Sequence, residues 1–172
     1  MIGRMMEFPL TVPSLLQHAA ANHGDTEIVS RDAAGAVHRT SWSEVAGRAR
    51  RLAAALAALG VTAHERVGTL AWIMGHAGDV VLFVEPDLLP LADRVLSRCG
   101  EVRHIVVLCE RAAMPATPLA HALCYEDLLD AAPAEWEWPA LDERSACGLC
   151  YTSGTTGDPK GVLYDHRSTV LH

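Results

Sequence analysis

Three short runs constrain the fold most: RVGTLAW at 66–72, DVVLFVE at 79–85 and HIVVLCE at 104–110. Each is almost continuously apolar and rich in β-branched residues, with no alternation of apolar and polar positions. Strands patterned this way have both faces covered, as in a parallel sheet between layers of helix. PLADRVLSRCG at 90–100 reads as a helix between the last two runs, so Asp79 to Cys109 forms a β-α-β unit. The expected class is α/β, a partly parallel sheet flanked by helices. One junction strains this scheme. Between Trp72 and Asp79 there is only IMGHAG, whereas a crossover between parallel neighbours takes about a dozen residues or more. Either these two strands pair antiparallel or a segment is missing.

The remaining elements follow from caps and periodicity. TVPSLLQHAAANHGD at 11–25 predicts a helix capped by Thr11, with Pro13 tolerated in the first turn and Gly24 closing it. TEIVSRDAAGAVHRTS at 26–41 has two short alternating runs around Asp32 to Gly35, a hairpin signature. Ser41 and Glu44 form a capping box. The helix that follows carries Val45, Ala49, Leu52, Leu56 and Leu59 as an apolar stripe, turns Arg50 and Arg51 away from it, and stops at Gly60. Two Pro/Ala-rich connections, 111–120 and 131–140, flank a short helix at YEDLLDA. ACGLCYT at 146–152 and GVLYDH at 161–166 read as strands, and RSTVLH as the opening of a helix.

Composition removes several function classes. A chain of 172 residues, 50% hydrophobic and 20% charged, suits one globular domain rather than two. Its longest apolar stretch, Leu52 to Val61, is far short of the roughly 20 residues of a membrane span. The amino-terminal segment, broken by Glu7, Pro9 and Pro13, does not read as a secretory signal. Fourteen Lys and Arg against 21 Asp and Glu leave a net charge of −7, which argues against nucleic-acid binding. Five scattered cysteines, an odd number, fit reduced thiols and a cytoplasmic protein.

The densest chemistry is YTSGTTGDPKGV at 151–162. Gly154, Gly157 and Gly161 permit positive φ and close backbone approach, so successive N–H groups turn inward on an anion. Thr152, Ser153, Thr155 and Thr156 add hydroxyl donors and Lys160 a mobile positive charge, which together make a polyphosphate cradle. A Walker A loop is excluded, because Lys160 follows Pro159, precedes Gly161 and leads into a strand rather than a helix.

The string LCYTSGTTGDPKGVLYDHRSTVLH resembles the phosphate-loop signature of the adenylate-forming superfamily, and more narrowly of fatty-acyl-CoA synthetases, the AMP-dependent acyl-CoA ligases. Weaker similarity runs through SWSEVAGRARRLAAALAALGV, ERVGTLAW, FVEPDLLPL and LDERSACGLC. The resemblance implies activation of a fatty acid by ATP with Mg2+ to an acyl-adenylate, then transfer of the acyl group to coenzyme A. It assigns Thr152, Ser153, Gly154, Thr155, Thr156 and Gly157 to the β- and γ-phosphates, Lys160 to their neutralisation, and the turn to Pro159 and Gly161. His166 is an expected nucleotide contact, although a turn or capping role suits it better. The chain is expected to be the incomplete N-terminal portion of an adenylate-forming large domain over 1–172. The C-terminal domain with its catalytic lysine is expected to be absent, as are roughly 30 residues, about one β-α-β unit, at the Trp72 junction. No residue is assigned as catalytic and none as a metal ligand, and the isolated chain is expected to be inactive. The rival readings are a non-catalytic nucleotide or pyrophosphate binder and an interaction fragment that self-associates through exposed truncated edges.

Other candidates read as structural. Cys147 and Cys150 have CxxC spacing but lie on a strand with no second pair, so they are expected to be core thiols. Asp25, Glu27, Asp142 and Glu143 have no nucleophile to serve and read as solvated carboxylates.

Overall fold

The computed structural model describes residues 8–31, 35–61, 66–68, 71–97, 99–152 and 160–172, with only the backbone at 66–68, 71 and 72. The elements run α1 (Val12–His23), β1 (Glu27–Arg31), β2 (Val37–Ser41), α2 (Trp42–Ala58), β3 (Arg66–Gly68), α3 (Ala71–Ala77), β4 (Asp79–Val84), α4 (Leu89–Leu96), β5 (His104–Val107), β6 (Ala122–Cys124), α5 (Tyr125–Ala131), β7 (Ala146–Thr152), β8 (Lys160–Asp165) and α6 (His166–Leu171). They gather into two compact units. The end unit joins residues up to Gly47 with Glu137–His172, and the middle unit is the unbroken stretch Arg48–Trp136.

The middle unit is built on a four-stranded sheet ordered β3-β4-β5-β6, parallel throughout. The continuous apolar runs meet two separate clusters. Leu82, Val84 and Val107 pack with Met74 of α3 and with Leu89 and Ala92 of α4. Val80, Val81 and Val106 pack with Leu56 of α2 and with Tyr125 and Leu128 of α5. Neighbours Val106 and Val107, both wholly buried, thus serve different clusters, as the absence of alternation requires. Arg48 makes two hydrogen bonds to the Glu126 carboxylate, at 2.6 and 3.1 Å, and lies 5.4 Å from the Tyr125 ring centre.

The strained junction resolves in favour of parallel pairing. β3 keeps three residues and carries an irregularity at Arg66/Val67, and α3 makes the return. Trp72, read as strand, is therefore helical. Gly78 at φ +68° receives the helix end, its N–H donating to the Met74 carbonyl, and turns the chain directly into β4. β6, three residues between the Pro/Ala-rich connection at 111–120 and the helix at YEDLLDA, is an addition that sequence alone does not suggest.

In the end unit, β1 and β2 form the expected hairpin, Glu27 opposite Ser41. The capping box is present: the Ser41 N–H donates to Glu44 Oε2 at 2.8 Å and the Glu44 N–H to Ser41 Oγ at 3.3 Å. Thr11 occupies the N-cap of α1 without a side-chain bond; Ser14 Oγ donates to its carbonyl at 2.6 Å instead. The α2 stripe is shifted: Ala46, Ala54 and Ala55 are its buried residues, while Val45, Leu52 and Leu56 are half-buried. Among the described residues no helix is long and apolar enough to cross a membrane.

Candidate functional site

The candidate loop springs from an antiparallel ribbon. β7 and β8 pair Leu149 with Leu163, Cys150 with Val162, Tyr151 with Gly161 and Thr152 with Lys160. The register therefore sets the Thr152 hydroxyl and the Lys160 ammonium on facing positions at the mouth of residues 153–159, and both side chains are exposed. Ser153, Gly154, Thr155, Thr156, Gly157 and Pro159 lie outside the described residues.

Gly161 departs from its expected role. It sits inside β8 rather than in a turn, and its φ is not positive. A Cβ there would lie 3.1 Å from Leu149 Cδ1 and 3.2 Å from Tyr151 Cε1, so the missing side chain is what lets the Tyr151 ring lie across the strand. The CxxC cysteines depart as well. Cys147 and Cys150 are exposed rather than core thiols, because a two-stranded ribbon buries neither face by itself; Cys147 Sγ lies 3.2 Å from Thr169 Oγ1.

β8 runs directly into α6. Asp165 is the N-cap, its Oδ1 accepting the Ser168 N–H at 2.6 Å. His166, the first residue of α6, is 7% exposed. Its Nδ1 accepts the Val12 N–H at 3.2 Å, and its own N–H donates to the Ser145 carbonyl at 3.2 Å. An acceptor Nδ1 specifies the neutral ring with its proton on Nε2.

Glu143 is not a merely solvated carboxylate. Its Oε2 accepts the Leu10 N–H at 3.0 Å, its Oε1 accepts from Arg167 Nη1 at 2.7 Å, and its carbonyl accepts the Arg167 N–H. The Leu10–Glu143 and Val12–His166 bonds join positions 133 and 154 apart, so no local sequence signal announces them.

Three carboxylates of the end unit are held below their ordinary ranges by hydrogen bonds to the charged form: Glu143 by the Leu10 N–H and then Arg167, Asp165 by the Ser168 N–H, and Glu44 by the Thr40 hydroxyl and the Ser41 N–H. A depressed carboxylate stabilises the fold above its unfolded value, about 4 for these residue types, and loses that contribution as pH falls through the lower folded value. Acidification below about pH 4 is therefore expected to open the end unit first. Hydrogen exchange in α6 and β8 would rise before exchange in β4 and β5, and Glu143→Gln would flatten part of that acid dependence.

A family model described as AMP-binding enzyme matches residues 68–171, more than half of the chain. The chain belongs to the AMP-binding enzyme family. The ribbon, the loop and α6 all fall within the matched span. Among curated proteins, this AMP-binding chain is 40% identical over 205 residues to 3-methylmercaptopropionyl-CoA ligase of Ruegeria lacuscaerulensis, a match that takes in 100% of the chain and 38% of the relative. It is 39% identical over 201 residues to the long-chain-fatty-acid–CoA ligase of Thermus thermophilus, covering 98% of the chain and 36% of that protein. The crystal structure of a long-chain-fatty-acid-CoA ligase from Archaeoglobus fulgidus superposes with a TM-score of 0.79 at 17% identity, over 99% of the chain and 40% of that structure; at that identity the likeness concerns the fold. The chain thus spans well under half the length of these relatives. The Ruegeria match runs over 33 positions more than the 172 of this chain, so that relative carries additional residues inside the matched span.

Proposed function

We propose that this chain is the N-terminal part of the large domain of an acyl-CoA ligase working in the cytoplasm. In that reading it contributes the phosphate-holding loop for ATP-dependent activation of a fatty acid and its transfer to coenzyme A. The observation that carries the reading is the β7–β8 register, which brings Thr152 and Lys160 to opposite sides of a glycine- and hydroxyl-rich loop. A hydroxyl and an ammonium at facing positions of paired strands suit a polyphosphate that must be oriented before its α-phosphorus is attacked. Ser153, Gly154, Thr155, Thr156 and Gly157 would supply donors to the β- and γ-phosphates, Lys160 would neutralise them, and Mg2+ accompanying the nucleotide would shield the remaining charge. His166, at the start of α6, serves by holding the Val12 N–H. Since the 172 residues span 38% of a relative's length, we assign them phosphate binding without turnover of their own.

Titration of the purified chain with Mg-ATP tests this. Lys160→Ala should weaken binding about tenfold, the loss of one charge-assisted hydrogen bond, with unchanged far-UV circular dichroism. Equal affinities would overturn the assignment of Lys160. Acyl-CoA formed by the chain alone from ATP, coenzyme A and either octanoate or 3-methylmercaptopropionate would overturn its inactivity. The faster of the two acids would then choose between the names its relatives bear.

Exposed apolar side chains favour a second reading as an interaction fragment. Val162 is 44% exposed, Leu163 58% and Leu171 64%, apolar side chains on both faces of β8 and at the end of α6 that suit another strand or chain. A mass that stays monomeric across a hundredfold concentration range would end it.

A further inference from the structure

At the carboxyl end of the parallel sheet two sulfur atoms meet, those of Cys109 and Met114, and a third, on Cys124, reaches the backbone of Cys109. Cys109 follows β5, Met114 follows the 3-10 turn Arg111–Ala113, and Cys124 ends β6. Cys109 Sγ lies 3.6 Å from Met114 Sδ, and Cys124 Sγ donates to the Cys109 carbonyl at 3.2 Å. The arrangement is braced: the same carbonyl also accepts the Glu126 N–H at 3.4 Å, and the Cys109 N–H donates to Val107. Cys124 is buried, Cys109 and Met114 half-buried, and the latter two pack on the apolar cluster of Leu82, Val84 and Leu89.

We propose that Cys109, Met114 and Cys124 form a binding site for a soft monovalent d10 cation, Cu(I). Thiol and thioether donors select soft ions over Mg2+ or Ca2+. Three sulfurs at roughly 2.3 Å from one ion stand about 4 Å apart, close to the separation already present between Cys109 and Met114. The third ligand is a thioether; among the described residues no three His, Cys, Asp or Glu side chains converge on a metal position. Binding breaks two S–H bonds and forms two thiolate–Cu(I) bonds, the Met114 sulfur donates a lone pair, both protons leave to solvent, and no electron is transferred. When the Cys124 proton goes, the Cys109 carbonyl keeps its bond from Glu126.

The test uses the full chain carrying Cys147→Ser and Cys150→Ser, which removes the exposed thiols, and Cu(I) presented anaerobically as its bicinchoninate complex. The expected result is withdrawal of one Cu(I) per chain, tighter at higher pH because protons are released. Met114→Leu keeps the volume and should weaken affinity about tenfold or more, at least what a lost outer partner of a metal ligand costs. Cys124→Ser should abolish withdrawal, with circular dichroism confirming that both variants are folded. Retention of all Cu(I) by the chelator would overturn the proposal. So would unchanged affinity in Met114→Leu and Cys124→Ser, which would place the ion elsewhere.

Discussion

Val106→Asp and Val107→Asp are each expected to leave the middle unit unfolded, and Val106→Ala and Val107→Ala each to cost about 2 kcal/mol, the transfer and cavity terms for two lost methyls. Both valines are wholly buried and each serves its own cluster. A carboxylate at either position would sit among apolar side chains without a partner, a penalty comparable to the whole stability of a small domain. Urea denaturation followed by circular dichroism measures the alanine variants. The informative point is the pairing of the two numbers. On a strand with one wet face, adjacent substitutions differ sharply, because one of the two side chains points to water. Near-equal losses at 106 and 107 would establish β5 as covered on both sides, and a cost near zero at either would refute the two-layer arrangement.

This is also where the sequence was most legible. Unbroken β-branched runs carry a direct physical meaning, and β4, α4 and β5 stand where 79–85, 90–100 and 104–110 put them. Caps were legible for the same reason: Ser41 with Glu44 is a local, reciprocal pair of bonds. Features that depend on distant neighbours were not. β6 is three residues long and exists because β5 offers it an edge, Ile105 to Val107 pairing with Ala122 to Cys124. Trp72 fits a strand by composition, yet the chain must turn back within a few residues and does so as helix. Gly161 suggested a turn, although what requires it is the Tyr151 ring across the ribbon. Of the candidate site, Thr152 and Lys160 are brought to facing positions, and residues 153–159 lie outside the described residues.

His166→Ala is expected to cost about 1–3 kcal/mol, the range for a buried donor deprived of its acceptor, and to speed proteolysis within Phe8–Thr11. The motivating contact is the Val12 N–H on His166 Nδ1. Val12 is the first residue of α1, where proline is tolerated because that N–H has no partner within the helix. Val12→Pro therefore removes the donor without emptying any space, and Thr11 already has the extended backbone that must precede a proline. In the Val12→Pro background, His166→Ala should cost measurably less, the difference being the coupling of the pair. Equal costs in the two backgrounds would mean that His166 contributes by packing alone. A nucleotide affinity that falls in His166→Ala but not in Val12→Pro would give the Nε2 side of the ring a ligand role.

The clasp formed by Leu10, Val12, Glu143 and His166 closes loops of 133 and 154 residues, whereas Arg48–Trp136 is one continuous segment. During synthesis at about 5–20 residues per second, the 30 residues from Trp136 to His166 take on the order of a few seconds. The middle unit is complete in sequence throughout that interval, while α1 waits for the partner that will cap its first N–H. Order of manufacture thus becomes order of assembly. The sheet is expected to form early from near neighbours, and the ribbon that carries the loop to be joined to Leu10 and Val12 only by a later, entropically costly closure.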